Sequence, residues 1–109
     1  MIFDFDKEAW ERLDRFKGGE KFMDAKMHFD GTNRILLGTL VPGATIGLHT
    51  HDANSEIIYF LSGRGYMLTD GVREEVAAGM CHYCPKGHTH GMFNDSDDDL
   101  VFFAVVPNQ

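Results

Sequence analysis

The chain has 109 residues, of which 43% are hydrophobic and 25% charged, so it is a single globular domain spanning residues 1–109 with a small core. A net charge of −7 argues against nucleic acid and against anionic membrane surfaces, whose phosphates repel such a protein. No apolar run approaches the length of a membrane span, and the start, MIFDFDKEAW, has neither a basic region nor a long apolar stretch, so a cytoplasmic protein is expected.

In chain order, residues 6–17 come first. Ala9, Trp10, Leu13 and Phe16 form a stripe at helical spacing, Asp6 can cap its start and Gly18-Gly19 can end it, which predicts a short N-terminal helix. The rest reads as short strands and turns. In residues 21–30, Met23, Ala25, Met27 and Phe29 alternate with Asp24, Lys26, His28 and Asp30, which predicts a half-buried strand with a polar outer face. Residues 34–41, RILLGTLV, read as a buried strand closed by Pro42-Gly43. Asp70-Gly71, between GYMLT and VREEV, is a two-residue hairpin turn. Many short strands at regular spacing predict an all-β sandwich or barrel. The acidic run at 94–99 is a solvated loop that lacks the glycine turn and terminal glutamate of a calcium site. Cys81 and Cys84 read as buried thiols rather than a disulfide or a redox pair, with either as a fifth metal ligand the lesser alternative.

The chemistry concentrates in two stretches. In GLHTHDANSE, His49 and His51 are two residues apart, so on a strand both imidazoles point to one face. Glu56 opens the next strand after a short loop, where a hairpin can bring its carboxylate alongside. In GMCHYCPKGHTHGMFN, Pro85 and Gly87 mark a bend and His90 is the best candidate for a fourth ligand. Three imidazoles and a carboxylate suit a borderline divalent ion: iron, manganese, nickel, cobalt or zinc. They leave positions open on an octahedral ion, and open positions allow chemistry. His88 shares the strand face of His90 and is a candidate acid or base, or else a rim residue in solvent. Ile58, Phe60, Met67, Met92 and Phe102 are candidate pocket walls that serve equally as plain core, and Arg34 and Lys26 are the nearest candidates to anchor an anion.

These two stretches resemble the paired motifs of the cupin superfamily. Gly43, His49, His51, Glu56 and Gly63 fill every fixed position of G-x5-H-x-H-x4-E-x6-G. Gly79, Pro85, Gly87, His90 and Asn94 do the same for G-x5-P-x-G-x2-H-x3-N, fifteen residues further on. Met80 departs from the aspartate that many relatives carry, at a position that is not a ligand. The resemblance, to a small single-domain cupin of the conserved-barrel type, implies an antiparallel double-stranded β-helix, a jelly-roll barrel. It implies a metal held inside by His49, His51, Glu56 and His90, and a homodimer packed through N-terminal strands. It does not choose a reaction. A metal-dependent oxygenase, isomerase, epimerase or lyase acting on a small oxygenated substrate is one expectation. A non-catalytic binding or sensing protein is the alternative, and a purely structural barrel is the least favoured.

Overall fold

The computed structural model describes residues 1–109. Ten strands run in order: β1 (Glu11–Asp14), β2 (Phe22–Phe29), β3 (Asn33–Leu40), β4 (Thr45–Thr50), β5 (Glu56–Ser62), β6 (Arg64–Thr69), β7 (Val72–Ala77), β8 (Cys81–Cys84), β9 (Thr89–Phe93) and β10 (Leu100–Pro107). They form two antiparallel sheets, one of six strands in the order β1-β2-β3-β10-β5-β8 and one of four in the order β4-β9-β6-β7. The sheets are separate hydrogen-bonded ladders, so the expected all-β architecture is present but the barrel is not closed. No helix is long and apolar enough to cross a membrane.

Alternation along the strands makes the core. Inward residues of the large sheet, among them Met23, Leu36, Ile58, Phe60 and Phe102, meet Ile46, Met67, Val76 and Met92 of the small one in a single buried cluster. Phe60 and Phe102 are fully enclosed, and burying each side chain contributes about 2–3 kcal/mol. The tip of the Phe102 ring fits against β3 only because residue 38 is glycine, where a Cβ would come within 2.3 Å of it. The Asp70-Gly71 turn is as expected, with both residues at positive φ (49° and 81°), the conformation that suits a tight hairpin between β6 and β7. Asn94 ties the acidic loop down, donating to the carbonyls of Leu40 and Asp98 while its own oxygen accepts from Ser96.

The N-terminal helix does not form. Residues 5–7 and 16–18 are single 3-10 turns, and the segment between them is β1, paired with β2. The edge of β2 offers unpaired backbone groups, and an added strand satisfies them. Arg12 fixes the register with two hydrogen bonds to Asp24 and lies over the Phe22 ring. Arg15 and Lys17 adopt left-handed backbone (φ 49° and 55°), which no helix continues. Leu13 and Phe16 still pack against the core, whereas Ala9 and Trp10 of the expected stripe are exposed.

The alternation expected for β2 holds at Met23 and Ala25, which are buried, and fails further on. Phe29 is exposed. Lys26 is buried because the N-terminal segment crosses it, with its ammonium donating to the Phe5 carbonyl and lying over Trp10. His28 is only partly exposed, stacked on Phe3 and bonded to Glu8. Cys84 is buried as expected, whereas Cys81 is exposed, because the outer face of β8 is open.

Candidate metal centre

β4 carries an irregularity that the residue pattern does not announce. Ile46 pairs with Met92 and His49 with His90, so that two residues, Gly47 and Leu48, stand against the single Gly91. This bulge at Gly47-Leu48 re-phases the strand, so Ile46 and His49 both face inward although an odd spacing separates them. Gly47 also admits the 3-10 turn at 16–18, because a Cβ there would come 2.0 Å from the Lys17 carbonyl oxygen. The same turn therefore places Lys17 beside the histidines.

His49, His51, Glu56 and His90 converge, each offering one ligand atom, all within 4.8 Å of one another. The imidazoles come from β4, its end and β9, and the carboxylate comes from β5 on the opposite sheet. His51 Nε2 and His90 Nε2 are 2.9 Å apart, and Glu56 Oε1 lies 3.2 Å from the first and 2.9 Å from the second. Two neutral ring nitrogens at that distance, both presenting lone pairs, repel unless a cation or a proton lies between them. Ligands about 2.1 Å from one ion and cis to each other are separated by about 3 Å, so the spacing fits a divalent transition ion.

The far side of each ring supports that fit. His49 Nδ1 donates to the Gly47 carbonyl at 2.7 Å, and His51 Nδ1 to Asn54 Oδ1 at 2.5 Å. An oxygen acceptor requires the proton on Nδ1, which leaves the Nε2 lone pair free for the centre. His90 Nδ1 meets His82 Nε2 at 3.0 Å instead.

The electrostatics match. In the ion-free protein burial alone would push the Glu56 carboxyl up, but hydrogen bonds from the Nε2 atoms of His51 and His90, which there hold protons in place of an ion, outweigh it and hold it at about 2. The Glu56 contact raises His51, while burial lowers His49. These four side chains could hold a metal ion.

Two cavities meet at the cluster and share Phe16, Leu36, His49 and Glu56. The inner one, about 30 Å³, is apolar and walled by Ile58, Met67, Met92 and Phe102 among others. Phe60, also a candidate wall, packs fully into the core instead. The outer one, about 420 Å³, is polar and brings Lys17, Arg34 and Asp52 to the ligands. Of the two candidate anion anchors, Arg34 is therefore at the site and Lys26 is not. Lys17 was not anticipated, because an expected helix gives no hint of a left-handed turn. His88 is about half exposed, bonded to Asp70 at 2.5 Å, and lines neither cavity. Neither cysteine belongs to the cluster, and burial pushes the Cys84 thiol up to about 11.

The Cupin domain profile matches residues 36–106, and the chain belongs to that family. Its sequence is 36% identical to an oxalate-binding protein from Thermotoga maritima over 67 residues, 62% of this chain and 55% of the relative. The chain therefore matches only about half the length of that relative. Its fold superposes on a predicted oxalate decarboxylase from Thermotoga maritima with a TM-score of 0.94, 26% identity and full coverage of both chains. KdgF from Halomonas sp. shares the fold at a TM-score of 0.81 and 17% identity, over 100% of this chain and 94% of that one.

Proposed function

We propose that this cupin holds a divalent transition ion on His49, His51, Glu56 and His90 and captures a small dicarboxylate of the oxalate class there. One observation carries the reading, the charge balance of the outer cavity. Lys17 and Arg34 cancel Asp52 and Glu56, so a bound divalent ion leaves a surplus of two positive charges, the complement of a small dicarboxylate. The names of the Thermotoga maritima sequence and structure matches point to the same ligand class. The ion, when bound, supplies a Lewis-acidic centre with open positions that two carboxylate oxygens can fill. Around it, Arg34 and Lys17 attract and orient the anion, and the apolar inner wall keeps bulk water from the far side of the cluster.

Calorimetric titration of oxalate into manganese-loaded protein tests this. Binding is expected with manganese, absent after chelation, and weakened about tenfold or more in Arg34→Gln. Equal binding of the uncharged diamide of oxalate would refute the charge argument. A second reading, catalysis on the captured acid, is favoured by Asp52, a carboxyl on the cavity wall able to exchange a proton with a bound ligand. Formate and carbon dioxide released from oxalate would establish it, and a stable complex would leave the protein a binder.

The homodimer belongs to the same proposal. On the outer face of the six-stranded sheet, Tyr59 is opposite Phe103 and Cys81, and Ile57 is opposite Val105 and Tyr83. Ile57, Tyr59 and Tyr83 are 42–55% exposed, an apolar patch suited to burial against a second copy. Sedimentation at micromolar concentration is expected to give twice the 12.3 kDa chain mass, and Tyr59→Glu to shift it to monomer.

A further inference from the structure

His49 and His51 hand their outward protons to oxygen, whereas His90 meets another imidazole. His82, on β8, is buried, and its ring lies 22° from parallel to that of His90 with centroids 5.2 Å apart. It occupies a variable position of the second motif rather than a fixed one, and the function proposed above does not use it. Its other nitrogen, Nδ1, is 3.4 Å from Glu74 Oε1 on β7, and that oxygen accepts a hydrogen bond from Thr69 Oγ1 at 2.7 Å. Glu74 is half exposed, so the series runs from the protein surface to the cluster.

Only one placement of protons serves a His90 whose Nε2 lone pair faces an ion. His90 Nδ1 then carries the proton and donates to His82 Nε2. His82 Nε2 must be bare, so the His82 proton is on Nδ1, pointing at the Glu74 carboxylate. Each ring holds one proton, both point outward, and a negative charge terminates the series.

We propose that Glu74 and His82 are positioning residues that fix the tautomer and ring orientation of His90, and that the Glu74 charge, passed through His82, strengthens His90 as a ligand. This rests on the metal-binding reading of His90. It adds two residues from β7 and β8 to a centre otherwise built on β4, β5 and β9.

The test is zinc affinity by chelator competition on wild type, His82→Leu, His82→Gln, Glu74→Ala and the Glu74→Ala/His82→Leu double variant. His82→Leu has no acceptor for His90 and is expected to bind about 10–100-fold more weakly. His82→Gln, which can accept from His90 and donate to Glu74, recovers most of that loss. Glu74→Ala weakens binding several-fold in the wild-type background and not at all in His82→Leu, because its effect travels through His82. In the proton spectrum of the zinc-loaded protein, the His90 Nδ1 proton appears far downfield in wild type and His82→Gln, and loses that position in His82→Leu. Glu74 is exposed, so its variant folds and keeps the test decisive should His82→Leu be unstable. Wild-type affinity in both His82→Leu and Glu74→Ala, or an equal Glu74→Ala loss in both backgrounds, would overturn the relay alone. Failure of wild type itself to take up zinc or manganese would remove the metal reading, and the relay with it.

Discussion

Glu56→Gln in the metal-free protein separates the electrostatics of the cluster from its packing. The substitution keeps shape and removes charge. In the wild type the carboxyl falls from its ordinary 4.5 to about 2, through hydrogen bonds from His51 and His90 that outweigh the cost of burial. At about 1.4 kcal/mol per pH unit, that shift amounts to about 3 kcal/mol of folding stability. The pH window has two edges. A depressed carboxyl stabilises fully above its unfolded value of 4.5 and loses that contribution as pH falls through about 2. Its partner His51 is raised, so its contribution is full below 6.5 and is lost as pH climbs through its higher folded value. The two shifts describe one interaction and are not added. The gap between wild type and variant is therefore greatest between pH 4.5 and 6.5, closes toward pH 2, and narrows on the alkaline side. Urea unfolding of chelator-treated protein at pH 3, 5.5 and 8.5 measures it. A gap that stays constant with pH, or widens at pH 3, would refute the argument.

Metal loading should follow the same protons. Because His51 holds its proton above 6.5, loading at neutral pH displaces protons, and affinity falls on acidification; calorimetry in buffers of different ionisation enthalpy counts them. Gly47→Ala drives a Cβ against the Lys17 carbonyl and should cost about 1–3 kcal/mol in thermal or urea unfolding, while loosening the turn that brings Lys17 to the cavity and weakening oxalate capture. A maleimide reagent at pH 7 should label one thiol, the exposed Cys81, in the native protein and both after unfolding, since Cys84 is buried and pushed up to about 11; two labels on the native protein would contradict the packing of β8.

What was legible in the sequence was local. The Asp70-Gly71 turn, the strand alternation and the motif glycines constrain backbone within a few residues, and those parts of the fold followed. His49, His51, Glu56 and His90 were legible for the same reason, since they fall at fixed positions within two short stretches of the chain. What failed depended on partners distant in the chain. Ala9, Trp10, Leu13 and Phe16 satisfy a helical stripe and also a strand flanked by two turns; the open edge of β2 decides between them. Lys26 alternates outward until the N-terminal segment folds over it. Glu74 and His82 are unremarkable in the chain, and only the pairing of β7 with β6 and β8 with β5 carries both to His90.

The division of the ligands between sheets has an energetic consequence. Three imidazoles hang from the four-stranded sheet and the carboxylate from the six-stranded one, and the two ladders share no continuous hydrogen bonding. What holds them face to face is the apolar cluster, and the four donors lie at its border, where the outer cavity interrupts the packing. An ion bound there would bridge the sheets beside that cavity. Sheet separation would strip the ion of its carboxylate, so binding and sheet closure are one linked equilibrium. Free ion at about a thousand times its dissociation constant then adds about 4 kcal/mol to stability. A dicarboxylate of the proposed class would add to this through Arg34 on β3 of the large sheet and Lys17 in the turn against β4 of the small one. The bulge in β4 thus has a functional reason. Without it His49 would face outward, and His51 two residues on would be turned away with it, so the small sheet would lose two of its three imidazoles from the cluster.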